Sequence, residues 1–563
     1  MSCIANLLAL PNCIIDRTTR GRLNDSELKP ATKTILKEIN DSVIILGVLT
    51  SPDELIAQNE KPLVDTDIVT EKIDLGWIKT GDGFDEWEPS NNVMQISHNI
   101  SPNFSTVILG EDDMFSKYTC GEKLLGRVLR NRCLLPLDDS DIFLEGNEEA
   151  AALLKDLKLE QGKAFPVTYN TDFNMETDES FSRIFFYGMG CVLLTQQEEV
   201  SDSDLGPFVV DMPYQDLKVR KLYREYGARV HFSQDQKVTG IHDYKNETLF
   251  KPGDDGWDNA KMLAKVTALL FITVREHLTW THLICSNDAT RESTLTLAPN
   301  HPIRRLLTVF TYHATEVNLN AFDTLVPNIS ILHRGIGLEY RSTKDVFDMS
   351  FKTCNIYEPF SQRTYNPALQ KLVEQDKMPF ITQGSEFYEI VKSFVRSWLE
   401  TAGEAATDGQ AMNFYEGMKK STKGQKYELP DLSSQDAMVN LLTSIIFTVT
   451  CYHELIGHVI DYTELPTRAG FRLTKENPST IDLQSFLTSA LICASTSTKM
   501  PRLMSTFSNF FGAGGAPSWE IDVWKQFLDS MEVQSKKVQE EDKKREVEFK
   551  YFDPATFECS VSL

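Results

Sequence analysis

Residues 257–282 read WDNAKMLAKVTALLFITVREHLTWTH, and their dense apolar content over more than twenty residues predicts a long central helix. This stretch ends on His277 and His282, which are five positions apart. Residues 441–458, LLTSIIFTVTCYHELIGH, lie in a second, nearly all-apolar segment and carry His453 and His458 at the same spacing. Two such segments predict a buried helical body with imidazoles close to its core.

The shared spacing fits a metal site only if the helices are distorted. In an ideal α-helix, residues five apart point about 140° away from each other around the axis. One π-bulge in each helix would return both histidines to one face, and such bulges are frequent at functional sites. The simpler alternative is a core or surface histidine with one hydrogen bond. Two matched pairs, using four of the ten histidines, favour the metal, and neutral imidazole suits Fe, Zn, Cu and Mn.

Composition excludes several classes of function. The net charge of −24 provides no basic stripe for a phosphate backbone, so we expect no nucleic-acid partner and at most transient membrane contact. The chain has no run of about 18 uninterrupted apolar residues, which argues against a transmembrane helix. Ten cysteines without CxxC pairs predict reduced thiols, and the first residues lack the basic region of a secretory signal. We therefore expect a cytoplasmic protein.

The pattern along the chain predicts a mainly α fold with a minor β or irregular N-terminal portion. Residues 1–170 contain short apolar patches among turn formers, as in DLGWIKTGDGFDEWEPSNN, and we assign them to the same body as residues 171–563. Further helices are predicted at 301–321, 386–400 and, with a solvated charged face, 519–548. The tail, FKYFDPATFECSVSL, carries no charged side chain in its last five residues, so it can insert into the core.

One short motif resembles a zinc peptidase. HELIGH is similar to the HExxxGH signature of dipeptidyl-peptidase-III-like enzymes, which implies that His453 and His458 bind zinc and that Glu454 activates water. The acidic third ligand of that family has no counterpart after His458, and the match covers six residues only.

A longer resemblance is to the catalytic domain of lipoxygenases. It covers roughly the last 390 residues in the family's order. The matching segments are DESFSRIFFYGMG (178–190), WDNAK (257–261), REHLTWTHL (275–283), NHPIRRLL (300–307), VNLNAFDTLV (317–326), QGSEFYEIVKSFVRSWL (383–399), LLTSIIFTVTCYH (441–453) and SVSL (560–563).

This resemblance implies a largely helical fold around non-heme iron, held by histidines of two long helices and by the C-terminal carboxylate, here that of Leu563. It implies hydrogen abstraction from a bis-allylic carbon of a polyunsaturated fatty acid, followed by addition of O2 to the radical. We expect no separate counterpart of the family's N-terminal lipid-binding β-sandwich in this chain. No side-chain base beyond the metal centre is required.

The chain departs from the family at the metal ligands. Counted without gaps from Lys261, the first ligand position falls on Ile272 and the second on His277, unless a local shift makes His277 and His282 the pair. In the second helix, His453 matches a ligand of the family, and the family's next ligand position falls on Gly457, unless a bulge at 455–457 brings His458 to that position.

We therefore predict a metal centre of His277, His453, His458 and the Leu563 carboxylate, with His282 as a further ligand. The expected metal is iron, with Mn or Zn as alternatives. The altered ligand set also allows a variant that rearranges, isomerises or cleaves an unsaturated lipid. A third possibility is a lipid-binding relic without metal or activity.

Two arginines follow the predicted start of the third helix. We expect Arg304 and Arg305 on a solvated helix face, with contact to a fatty-acid carboxylate as the alternative. His301 is expected to be a structural residue at that helix start, and His313 an ordinary hydrogen-bonded polar group.

Overall fold

The computed structural model describes residues 177–196, 205–312, 331–364, 367–486 and 516–561, with single residues and short segments between 73 and 110, 314 and 326, 488 and 489, and 502 and 511. Most of residues 1–170, His313 and Leu563 lie outside the described residues. The predictions made for them, including the division at residue 170, stay predictions.

Helices dominate the described part of the chain, which confirms the mainly α class. Their bounds are Asp178–Phe186, Trp257–Phe271, Asn287–Thr296, Pro302–Phe310, Ile331–Gly335, Tyr340–Thr353, Phe360–Arg363, Pro367–Glu374, Pro379–Ala402, Gly409–Ser421, Gln435–Phe447, His453–Gly457, Ile460–Thr463 and Ser518–Asp542. Segments of π-helix span Ile272–Ser286 and Thr448–Tyr452, and 3-10 turns span Met189–Leu193, Gly403–Ala406 and Lys550–Phe552.

In the part of the chain that the structure describes, ten short strands form three antiparallel sheets. They are β1 Ile73–Asp74, β2 Trp77–Lys79, β3 Trp87–Pro89, β4 Val93–Ile96, β5 Val107–Gly110, β6 Leu194–Gln196, β7 Phe208–Met212, β8 Ala228–Phe232, β9 Val238–Asp243 and β10 Thr248–Phe250. The orders are β1-β2-β3, β4-β5 and β10-β9-β8-β7-β6. The first five strands confirm the short strands expected in part of the N-terminal portion, whereas the five-stranded sheet was not predicted.

One continuous helix, Trp257–Thr296, passes through the molecule and is called the central helix below. Its first turns are fixed by Asp178, which accepts hydrogen bonds from Trp257 Nε1 and Lys261 Nζ, each at 2.8 Å. Its first α-helical part packs on β8 and β9. Near its other end, the Thr294 carbonyl accepts a 2.9 Å bond from Trp77 Nε1, so the N-terminal strands contact the helical body.

A second continuous helix runs from Gln435 to Gly457 and is called the second helix below. Its apolar side chains are buried because helical neighbours cover it on several sides, among them Pro379–Ala402 and the central helix. Among the described residues, the stretch Gln435–Thr463 is long and apolar enough to cross a membrane. However, 89% of its most apolar window is buried inside the protein, as in a core helix.

Candidate metal centre

The π-helical segment of the central helix, Ile272–Ser286, brings His277 and His282 to one face, as their five-residue spacing predicts. Two threonines in this segment stabilise the wider turn. Thr279 Oγ1 donates to the Val274 carbonyl at 2.6 Å and Thr281 Oγ1 to the Glu276 carbonyl at 2.8 Å, each five residues back. These hydroxyls bond to the carbonyls that the wider turn presents to them.

The second helix also contains a π-helical segment, but it lies before the histidine rather than after it. The segment spans Thr448–Tyr452, and the His453 N–H donates to the carbonyl of Thr448, five residues back. Ordinary α-helix then resumes from His453 to Gly457. The bulge predicted at 455–457 is therefore wrong.

Three imidazoles meet where the two helices cross, and we call them the histidine triad: His277, His282 and His453. Their Nε2 atoms are separated by 3.0 Å (His277 to His453), 3.1 Å (His277 to His282) and 3.3 Å (His282 to His453). The residues are 8%, 2% and 4% exposed, so the convergence occurs inside the core.

The geometry of the histidine triad fits a transition metal. Nitrogens bound to one first-row ion at about 2.1 Å lie roughly 3.0 to 3.4 Å apart, the range between octahedral and tetrahedral angles. The three contacts cannot all be hydrogen bonds. Each Nε2 is either a donor or an acceptor, so at least one pair among three neighbouring Nε2 atoms joins two donors or two acceptors. A cation removes that conflict because all three lone pairs can face it.

Asn318 fixes the tautomer of His282. Its side-chain amide donates to the His282 carbonyl at 3.0 Å and to Ser286 Oγ at 3.2 Å, so its oxygen is the atom that faces His282 Nδ1 at 3.2 Å. That oxygen can only accept, so Nδ1 carries the proton and Nε2 keeps its lone pair. Sequence analysis did not single out Asn318, although it lies in the VNLNAFDTLV segment.

A second contact joins the two helices beside the histidine triad. Tyr452 OH donates to Glu276 Oε2 at 2.7 Å, and these residues directly precede His453 and His277. Arg275 pairs with the other oxygen of Glu276 at 2.5 Å. Burial, together with the Glu276 carboxylate, raises the pKa of Tyr452 well above its ordinary value, so the phenol remains a donor. The contact holds the two ligand-bearing helices in register.

His458 is placed away from the histidine triad, which differs from the predicted ligand set. Residues 453–457 are ordinary α-helix, so Gly457 lies one turn after His453, and His458 lies one turn after Glu454 instead. Its Nε2 lies 3.2 Å from Glu454 Oε1, and its ring packs on Tyr551. Burial works against the imidazolium, but the hydrogen bond and charge of Glu454 raise the pKa of His458.

The same placement separates the residues of the peptidase motif. A zinc site of the HExxxGH type needs His453 and His458 on one ion, with Glu454 free to activate water. Here His453 belongs to the histidine triad, and Glu454 faces His458 instead.

The structure also shows where Ile272 and Gly457 lie, the two residues that fall on ligand positions of the lipoxygenase pattern. Ile272 is buried and begins the first π-helical segment, so the local shift that pairs His277 with His282 is the one observed. Gly457 lies against the histidine triad: a Cβ placed on it would be 3.7 Å from His277 Nε2 and 3.8 Å from His453 Nε2. Leu563 lies outside the described residues, so the metal-binding role of its carboxylate stays a prediction.

The prediction that Arg304 and Arg305 lie on a solvated helix face is wrong. Arg305 and Glu520 form a buried ion pair, 2.7 Å long and only 2% and 1% exposed at the side chains. Arg304 is also buried and donates to the Leu297 carbonyl at 2.8 Å. His301 begins the helix Pro302–Phe310 and accepts from the Ile303 N–H at 3.2 Å, as a structural residue would.

Comparison with known proteins gives a consistent answer at the level of fold. No protein-family model and no curated protein sequence matches the chain. Among solved structures, coral 8R-lipoxygenase has a TM-score of 0.70 at 15% identity, covering 84% of this chain and 79% of that one. A calcium-dependent 11R-lipoxygenase has 0.66 at 12%, with 84% and 79% covered. A LOX in complex with arachidonate has 0.68 at 17%, with 84% and 80% covered.

Proposed function

Because the chain has a lipoxygenase-like fold, we propose that the histidine triad holds a non-heme iron and that the protein oxidises a polyunsaturated fatty acid or a related unsaturated lipid with O2. The observation that carries the proposal is the convergence of three buried Nε2 atoms within 3.0 to 3.3 Å. Imidazole alone also suits Mn and Zn, so the choice of iron rests on the fold.

The proposed substrate class has one further support. A solved neighbour is a LOX in complex with arachidonate, and we extend a fatty-acid ligand from that protein to this chain as a proposal. A rearranging, isomerising or cleaving variant of the reaction uses the same site. The five described cysteines are free and buried, in agreement with the proposed cytoplasmic location.

A bound iron would supply the one-electron chemistry needed to abstract hydrogen from a bis-allylic carbon. The protein's own residues prepare the site for it. Asn318 holds His282 in the tautomer whose Nε2 faces inward, and the Tyr452–Glu276 bond fixes the relative position of the two helices. The buried surroundings limit the access of water to the centre. We propose the Leu563 carboxylate as an additional ligand.

Metal analysis of the purified wild type tests the site before any substrate is chosen. We expect about one iron per chain, lost in His277→Ala and His453→Ala. His242→Ala, which removes a half-buried histidine of β9 in edge-to-face contact with Tyr244, serves as the matched control and should keep its metal.

Loaded wild-type protein is then incubated with polyunsaturated fatty acids under O2, and oxygen uptake and conjugated-diene formation are followed. Metal-free protein that still binds fatty acid would contradict the enzyme and favour the lipid-binding relic. Zinc with peptide hydrolysis, lost in Glu454→Gln, would contradict the whole proposal.

A further inference from the structure

The carboxylate of Asp553 holds the C-terminal tail against the long helix Ser518–Asp542. Asp553 Oδ1 accepts hydrogen bonds from Ser535 Oγ at 2.5 Å and from the Ala555 N–H at 3.0 Å. Asp553 Oδ2 accepts a third bond from Gln539 Nε2 at 2.8 Å. Ser535 and Gln539 lie one turn apart on the helix, whereas Ala555 belongs to the tail. One side chain therefore binds both at once, and hydrogen bonds to an ionised group are stronger than neutral ones.

The same residue begins a turn of the tail. The N–H and the Oγ1 of Thr556 both donate to the Asp553 carbonyl, at 2.9 and 2.8 Å. The sequence Asp-Pro-Ala-Thr at 553–556 favours this turn, because an aspartate side chain bonds to the backbone two residues on and proline suits the second position. Asp553 therefore fixes the conformation of the tail as well as its attachment to the helix.

After the turn, the tail pairs with an earlier segment of the chain in the antiparallel direction. The Leu503 N–H donates to the Phe557 carbonyl at 2.7 Å, and Arg502 Nη1 donates to the Ala555 carbonyl at 2.9 Å. Three fully buried residues follow this pairing, as the apolar sequence of the tail predicts: Cys559, Ser560 and Val561.

The turn at Asp553 comes before this pairing and so sets its register. A shift of the pairing by one residue would move every later residue of the tail by about 3.3 Å along the chain. Leu563 follows Val561 by only two residues, so its carboxylate would move as well. Metal–ligand distances tolerate only about 0.2 Å. A carboxylate that binds metal from the chain end therefore depends on the turn that precedes it.

We infer that Asp553 is a positioning residue, which determines where the Leu563 carboxylate meets the metal while its own oxygens bind Ser535, Gln539 and Ala555. The inference rests on the proposed function, since it needs both the metal and Leu563 as a ligand. Loss of the Asp553 carboxylate should weaken metal binding, and it should do so only in a chain that still ends at Leu563.

The test measures Co²⁺ affinity against a chelator of known affinity in wild type, Asp553→Ala, a deletion of Leu563, and both changes together. The deletion moves the chain end back by one residue, or about 3.8 Å. Asp553→Ala should weaken Co²⁺ binding about tenfold in the chain that ends at Leu563, and less than about twofold in the shortened one. A general loss of stability would weaken both equally.

Two further variants serve as controls. Asp553→Asn keeps an acceptor oxygen for Ser535 and Ala555, so it should restore most of the Co²⁺ affinity. Asp529→Asn makes the same chemical change at an exposed position of the helix Ser518–Asp542 and should leave the affinity unchanged. Hydrogen exchange of the metal-free protein should become faster at residues 555–561 in Asp553→Ala but not in Asp529→Asn.

The outcomes separate this inference from the proposed function. Wild type that binds no Co²⁺ overturns both. An Asp553→Ala protein with wild-type affinity, with unchanged exchange in its tail, or with equal losses in the two chain lengths overturns the inference alone. A Leu563 deletion that keeps wild-type affinity overturns the inference but leaves the histidine triad as the metal site. Circular dichroism melting checks folding, and Gln539→Ala, which removes one of the three donors, replaces Asp553→Ala if that variant does not fold.

Discussion

Replacing Asn318 by leucine should weaken metal binding without touching a metal ligand. Asn318 is fully buried, and its oxygen accepts the proton of His282 Nδ1 at 3.2 Å. Leucine has a similar size and no polar atom, so Asn318→Leu removes this acceptor. The His282 carbonyl, by contrast, keeps its bonds from Ser286 Oγ and from the Asn287 N–H. The loss is thus concentrated on Nδ1.

The magnitude follows from the two responses open to His282. Keeping the Nδ1 proton in a buried site without this acceptor costs about 1–3 kcal/mol. Moving it to Nε2 instead covers the lone pair that faces the histidine triad. Either way, metal affinity should fall roughly 10- to 100-fold, or about 1.4–2.7 kcal/mol.

Competition against a chelator of known affinity, with Co²⁺ or Zn²⁺, measures the change. Asn318→Asp keeps an acceptor oxygen toward Nδ1 and should retain most of the affinity. Ser286→Ala removes a neighbouring hydroxyl but leaves the Asn318 oxygen in place, and should stay within about threefold of wild type. An Asn318→Leu protein that binds metal as tightly as wild type would refute the assigned tautomer and the orienting role of Asn318.

Three further outcomes are expected. His282→Gln should lose its metal, whereas His458→Gln should retain near-stoichiometric metal because His458 faces Glu454; elemental analysis decides, and equal losses would contradict the three-histidine site. Arg305→Met should lower the free energy of unfolding in urea by about 3–5 kcal/mol because it leaves the Glu520 carboxylate buried and unpaired, and a double change of both residues to methionine should recover most of that loss. Burial raises the pKa of Asp542 from 3.8 to about 6. The folded state then holds this proton more tightly than the unfolded state, so unfolding free energy should fall by up to about 3 kcal/mol as the pH rises from about 4 to about 6. Asp542→Asn should flatten this slope in urea titrations at several pH values, and an unchanged slope would exclude Asp542 as its source.

Sequence reasoning located the site because its main signal is local. The five-residue spacing of His277 and His282 is incompatible with a shared face in an α-helix, so a π-helical turn could be predicted from geometry alone. The same argument failed for His453 and His458. Spacing does not show where a helix bulges: residues 453–457 are ordinary α-helix, so His458 lies one turn after Glu454 and not on the face of His453.

The features that were missed depend on residues far apart in the chain. Asn318 meets His282 from 36 positions away, and Glu520 meets Arg305 from 215. An isolated buried asparagine or an arginine on a helix gives no local sign of its partner. The five-stranded sheet was missed for a different reason, since its strands are only three to six residues long and mostly lack clean alternation of buried and exposed positions.

The wide turn between His277 and His282 makes this site depend on chain length more than on chemistry. A substitution among residues 278–281 keeps the chain length between the imidazoles, although a change of Thr279 or Thr281 removes a hydroxyl that stabilises the wide turn. Deleting one residue there leaves the histidines four apart, a spacing that an ordinary α-helix places on one face, so the turn can close without separating the imidazoles. Inserting one residue places the histidines six apart, which neither helix type returns to one face, and His282 would then leave both the centre and Asn318. A scan of single-residue insertions and deletions would therefore mark this turn by the opposite outcomes of the two changes.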